Sequence, residues 1–326
     1  MPTMPTLHIP SRPLAACLLL AAVTTATASR AGEPRPATAN AATAATDLSA
    51  TPLRARVQPA HEDSLRAFSS TDRPARDHAL SEREWALVEH AIDALPALHR
   101  QLLQRHLARL SFVDGPGSPG TALTRTHDGS DGQPLFDITV RADVLETSLS
   151  AFLTGKDARL FNADDSGYRI ELEAGTVPAL EYLLLHEATH VVDGVLNITA
   201  DGGPFRNLWT DYLTLAAPLD RGPLAHSLYR RKPAQPLAQA PALYAALADS
   251  PFVSLYSTAS AGEDLAELVA WHTLSQRSKV KLAISIVDGS GKRITSIAPL
   301  TSTAVQARMQ TVDAILARAN AGTPTE

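Results

Sequence analysis

The run Thr176-Val177-Pro178-Ala179-Leu180-Glu181-Tyr182-Leu183-Leu184-Leu185-His186-Glu187-Ala188-Thr189-His190-Val191-Val192-Asp193-Gly194 reads as one helix with a chemical seam. His186 and His190 are four residues apart, so on an α-helix they share a face, one turn above the other. Two neutral imidazoles so placed can reach one cation, and Glu187 projects toward the position that cation leaves open. The flanks agree with a helix. Thr176 is a candidate N-cap, Pro178 fits only a first turn, where its missing N–H costs nothing, and Gly194 is a candidate stop. Leu183, His186, His190 and Asp193 fall on one face. The competing reading is a buried helix whose two histidines are merely hydrogen-bonded.

A catalytic zinc takes three protein ligands and keeps a fourth position for water. The continuation HExxHxxGxxH fails, because Asp193 and Leu196 occupy its last two fixed positions. Downstream, Tyr256-Ser257-Thr258-Ala259-Ser260-Ala261-Gly262-Glu263-Asp264-Leu265-Ala266-Glu267 opens an apolar, Ala-rich helix. Ser260 followed by Glu263 is a capping-box pattern that marks its start. Glu263 and Glu267 share a face, so one could bind the metal while the other accepts an imidazole N–H. The plainer alternative is a solvated acidic first turn favoured by the helix dipole. Asp193 faces the unfavourable end of its own dipole. It orients His186 or His190, caps a loop, or, as a third option, ligates the metal directly.

His186 to Asp193, followed by Tyr256, Glu263 and Glu267, resembles the gluzincin peptidases typified by the anthrax lethal factor catalytic domain and the Pro-Pro endopeptidases. The resemblance covers two windows, roughly residues 165–200 and 250–275, and not the segment between them. It implies that His186, His190 and Glu263 hold Zn²⁺ and that Glu187 is the general base. Tyr256, seven residues before Glu263, would stabilise the transition state, and Glu267 and Asp193 would stand behind the ligands. The implied fold is α+β: a zincin-like metallopeptidase domain, mostly helical with a small sheet. The implied activity is zinc-dependent hydrolysis of a peptide or protein substrate. Two other classes stay open: a catalytically inactive zinc-binding interaction module of the bacterial envelope, and a secreted scaffold with an accidental HExxH.

Met1 to Arg12 is weakly basic, Leu14 to Ala28 is apolar and small, and Ala26-Thr27-Ala28 is an A-x-A cleavage site. Residues 1–28 are therefore expected to be a secretory signal peptide. Leu14-Ala15-Ala16-Cys17 mimics a lipoprotein box, but the apolar run mostly follows the cysteine, which makes acylation at Cys17 the minor alternative. Cys17 is the only cysteine, so a mature chain without it forms no disulfide. Arg-over-Lys, Ala-rich usage points to a GC-rich bacterial gene, hence a periplasmic or extracellular product. A formal charge of −5 with no basic run argues against nucleic acid as the main partner. No second apolar stretch reaches transmembrane length. The 44% hydrophobic composition suffices for one domain of moderate size. The oligomeric state is not legible.

Residues 29–80 read as a disordered Ala/Thr/Pro-rich tether, or less readily as a short pro-segment, with a catalytic domain at 81–320 and a tail at 321–326. Ser81-Glu82-Arg83-Glu84 is a capping box ahead of Trp85, Val88, Ile92 and Leu95 at helical spacing, and Pro96 breaks that helix. Leu98, Leu102, Leu103, Leu107 and Leu110 continue the apolar stripe. Phe136 to Ala142 and Tyr168 to Glu173 alternate as strands. Val280 to Val287 and Arg293 to Ile297 flank a turn at Asp288-Gly289-Ser290-Gly291, a hairpin pattern by turn chemistry, and a helix is expected from Thr301 to Ala317. Asp128-Gly129-Ser130-Asp131-Gly132 lacks the rest of a calcium loop and reads as a polar turn.

Overall fold

The computed structural model describes residue 48 and residues 50–115 and 120–322. The expected signal peptide, the tether up to residue 47 and residues 323–326 lie outside the described residues. The rest of the expected tether is folded, which corrects the compositional reading. Leu53–Arg56 forms a 3-10 turn, Glu62–Phe68 helix α1 and Arg76–Asp77 strand β1. The physical reason is non-local. Arg56 is 1% exposed and donates to the carbonyls of Leu103 at 2.8 Å, Gln104 at 2.7 Å and Leu107 at 2.7 Å. It thereby caps the end of a later helix. Phe68 packs with Val113 and Leu123.

Helix α2 (Glu82–Asp93) starts at Ser81 with both halves of the capping box formed. Pro96 separates it from α3 (Ala97–His106). The apolar stripe does not continue as helix beyond that point. Leu107 and Leu110 lie in strand β2 (Leu107–Asp114), whose Phe112 and Val113 favour extended backbone. Strands β3 (Ala122–Asp128) and β4 (Pro134–Arg141) form an antiparallel hairpin, and Asp128 to Gly132 is part of its turn, with Gly132 at φ 77°. β4 pairs parallel with β2, giving a four-stranded sheet in the order β1-β2-β4-β3, so β3 is an edge.

Helix α4 (Leu149–Ala158) and strands β5 (Phe161–Asn162) and β6 (Arg169–Glu173) lead to the central helix α5 (Ala179–Leu196). Every α5 residue from Ala179 to Val192 is buried. Pro178, not Thr176, is its N-cap. Gly194 does not stop it. The helix runs on to Leu196, and Asn197 takes the left-handed conformation at φ 52°. Gly194 instead allows close approach, because a Cβ there would sit 2.7 Å from Phe136 Cζ of β4.

Strand β7 (Gln235–Pro236) pairs with β5, and helix α6 (Ala240–Ala248) precedes α7 (Ala261–Arg277). Strands β8 (Ala283–Val287) and β9 (Arg293–Ile297) form the expected hairpin and join β6 in a three-stranded sheet. Helix α8 (Thr303–Gly322) follows. The architecture of the described residues is thus mixed α/β, about half helical, with three small sheets among them. One main core is built around α5, which packs on α7, α3, α2 and the β3–β4 hairpin. No helix among the described residues is long and apolar enough to cross a membrane.

Candidate metal centre

Two helix faces make the site. On α5, His186 and His190 project together, with ring centroids 5.0 Å apart and the rings at 82°. On α7, Ser260 accepts from the Glu263 N–H at 3.1 Å, which is half of a capping box. The Glu263 side chain does not complete the box. It turns toward α5, where Oε2 lies 2.9 Å from His186 Nε2 and 3.5 Å from His190 Nε2. The start of α7 is pinned from outside as well: the Ala261 N–H donates to the Tyr212 carbonyl at 2.9 Å. Gly262 leaves room for Tyr212, since a Cβ at that position would sit 2.3 Å from its hydroxyl oxygen.

Glu267, one turn along α7, meets the other nitrogen of the first imidazole. Its Oε1 lies 3.2 Å from His186 Nδ1. Tyr182 and Ser254 hydroxyls donate to the same carboxylate, and Trp271 Nε1 donates to Oε2 at 3.2 Å. Glu187 is buried and accepts from Thr124 Oγ1 at 2.6 Å, tying it to edge strand β3. Tyr256, in a 3-10 turn just before α7, stacks on His186 with centroids 5.7 Å apart, and the Lys156 ammonium of α4 lies 3.6 Å from its ring centroid.

Asp193 is the expected site residue that the structure puts elsewhere. Its carboxylate accepts from Thr199 N–H at 2.8 Å and from Thr199 Oγ1 at 2.5 Å, and no hydrogen bond to either imidazole occurs among the described residues. The structure therefore corrects its expected role behind the ligands. It closes the loop after α5, which offsets its unfavourable place at a helix C-terminus.

The electrostatics follow from burial and pairing. Burial opposes charge on His186, yet the Glu263 and Glu267 carboxylates outweigh it and raise its pKa to about 10. Burial also opposes charge on His190, and Glu263 again prevails and raises it. Glu263 is held well below the ordinary carboxylate range, because His190 and His186 overcome its own desolvation. Glu267 is likewise lowered against burial, chiefly by Lys156 and His186. Burial, then Glu263 and Glu187, push the Tyr256 phenol well up, so it stays protonated.

The residues fit a metal. His186, His190 and Glu263 each offer a buried donor atom, and these atoms lie within 4.8 Å of one another. Donors on a tetrahedral zinc with bonds of about 2.0–2.1 Å are about 3.3 Å apart, a separation that the 2.9 and 3.5 Å contacts here bracket. Two nitrogens and one carboxylate oxygen form a usual catalytic zinc set, and Glu267 Oε1 lies 3.2 Å from the second nitrogen of one imidazole. Tyr182, one turn before His186, was detectable by its spacing on the same helix face. Thr124, Lys156, Ser254 and Tyr212 reach the site through tertiary packing and carry no local sequence signature. Compared with family models, with curated proteins and with solved structures, the chain matches none.

Proposed function

We propose that this chain is a zinc-dependent peptidase of gluzincin type, exported by a bacterium and acting in the periplasm or outside the cell. The observation that carries the reading is the convergence of His186, His190 and Glu263 on one point, with Glu187 beside them and not ligating. When bound, zinc supplies Lewis-acid polarisation of a carbonyl and eases deprotonation of water.

The chain's own groups do the rest. Glu267 fixes the His186 ring from the Nδ1 side, leaving Nε2 for the metal. Glu187 takes a proton from the attacking water and returns it to the leaving amine, its carboxylate oriented by the Thr124 hydroxyl. Tyr256 keeps its proton and donates a hydrogen bond to the oxyanion that develops at the cleaved carbonyl. β3 supports a peptide as substrate. It is a sheet edge bonded to the base, and an extended peptide can add to such an edge as a further strand.

The second reading is an inactive zinc-binding module of the envelope. It gives no chemical reason for a base and a protonated tyrosine at the same metal position. A peptide-library cleavage assay with and without chelator separates the two. The proposal expects chelator-sensitive cleavage that falls by about 10²–10⁴-fold in Glu187→Gln while zinc is retained. Zinc bound without cleavage of any library member would favour the inactive module.

A further inference from the structure

Beside Glu187 lies a small cavity, open to about 50 Å³ of water-sized space and walled by the start of β3 and by Phe152, Lys156, Arg159, Tyr182 and Tyr256. That volume holds a few waters or a group of carboxylate size. Of its polar side chains Lys156 and Arg159 are cationic and Glu187 is the one carboxylate, with Thr121, His186, Tyr182 and Tyr256 completing the lining. We propose that Lys156 receives a substrate carboxylate in this cavity, so that the enzyme selects peptides with an acid close to the cleaved bond. The inference rests on the peptidase reading above and specifies its substrate.

Lys156 is half-buried as a residue, and its ammonium sits 3.6 Å above the Tyr256 ring centroid and 5.9 Å from that of Tyr182. Among the described residues no carboxylate lies within ion-pair distance of it. Burial opposes its charge and lowers its pKa, and Glu267, Asp157 and Glu263 favour the charge only from beyond ion-pair distance. A lysine whose role was to neutralise Glu267 would rest on that carboxylate, and this one rests on two aromatic faces at a cavity wall. A partly desolvated cation without a paired anion is costly, and an arriving carboxylate removes that cost. The ring contact holds the ammonium in place in the meantime.

The selection is one-sided. A second cavity flanks the other end of the seam, lined by Thr124, Thr126, Phe136, His190, Asp193 and Tyr212, and it contains no lysine or arginine. A peptide strand along β3 passes from one cavity to the other across Glu187, with about 3.3 Å between successive residues. An acidic side chain near the cleaved bond and a chain-terminal carboxylate share the chemistry that Lys156 recognises.

The test uses the zinc-loaded full chain and acetylated hexapeptides that carry Glu or Gln at each position in turn, each with a free or an amidated C-terminus. We expect at least tenfold higher kcat/KM for Glu over Gln at one position, or for free acid over amide. The first result identifies a side-chain carboxylate and the second a terminal one. Lys156→Met should bring the ratio below about twofold, Lys156→Glu should invert it, and Lys156→Arg should retain it. Zinc content and thermal unfolding check that each variant is folded. The same peptides are compared for binding to the Glu187→Gln chain, which tests recognition without turnover. Cleavage by the parent chain with no preference above threefold on either arm overturns the carboxylate site alone. Binding preference without cleavage keeps the site and overturns the peptidase reading. Neither preference nor cleavage overturns both.

Discussion

Glu263 and Glu267 are one helical turn apart, yet they meet different imidazole nitrogens and have different work. Glu263 contacts both Nε2 atoms and would be the ligand, whereas Glu267 lies beside His186 Nδ1 and would orient it. Loss of an orienting partner costs about 10–100-fold in metal affinity. Glu267→Gln should fall in that range, and Glu263→Ala should cost more. Competition with a chromogenic chelator measures both, and the reverse order would exchange the two roles. His99 makes a separate prediction. It is 1% exposed, its Nε2 lies 3.1 Å from Thr189 Oγ1, and burial lowers its pKa from 6.5 to about 4. Below pH 6.5 the unfolded chain therefore binds a proton that the folded chain does not. Stability from this group is complete above that pH and is lost as pH falls from 6.5 toward 4. The loss between pH 7.5 and pH 5 is about 2 kcal/mol. Urea unfolding of the parent chain and of His99→Gln at the two pH values isolates that component as their difference, since His186 and His190, whose pKa values are raised, titrate in the opposite sense in both chains.

At the scale of elements, the contact of α5 with β4 is tight enough to test. Gly194→Ala gains about 1 kcal/mol of helix propensity, but the new methyl would lie 2.7–2.9 Å from the buried Phe136 ring. Overpacking of that kind costs about 1–3 kcal/mol, so the variant should be less stable, and Phe136→Leu in the same chain should relieve the clash. A double-mutant cycle by chemical denaturation reads the coupling; additive effects would mean that the two residues do not touch. This position also marks where local sequence reasoning stops. The metal helix, the α7 start, the α2 capping box and the β8–β9 hairpin were legible, because apolar spacing, caps and turn residues are local properties. Gly194 was read as a helix stop because glycine in sequence does not distinguish a stop from a close contact. Leu107 and Leu110 were read as helix because a leucine stripe does not report where the chain changes period. Segment 50–80 was read as tether because its composition hides one buried arginine bonded to the end of α3. Of the site, the pattern carried His186, Glu187, His190 and the two α7 glutamates. Asp193 went elsewhere because Thr199 lies nearer to it than either imidazole's free N–H.

At the scale of the whole molecule, the proposed metal centre predicts only a loose coupling of metal to stability. His186, His190 and Glu263 contact one another at 2.9 and 3.5 Å, and the core around α5 is extensive. The chelated chain should therefore stay folded, unlike small domains that need zinc to fold at all. Zinc should raise the unfolding temperature in proportion to the logarithm of its excess over Kd. Because the Glu263 and Glu267 carboxylates raise His186 to about 10 against burial, its imidazole is protonated at neutral pH in the metal-free chain. Binding must expel that proton, so affinity should rise with pH up to that value. Calorimetry at pH 7.5 in buffers of different ionisation enthalpy should find about one proton released by His186 on zinc binding. No proton release would mean that these imidazoles are not the ligands.

The centre itself is reached most directly by zinc K-edge absorption fine structure on the metal-loaded chain and on His186→Ala. The account predicts one zinc per chain with only nitrogen and oxygen neighbours at about 2.0–2.1 Å and the outer-shell scattering of two imidazoles, reduced to one at most in the variant. A chain that retains no zinc, or whose imidazole scattering is unchanged in His186→Ala, would contradict it.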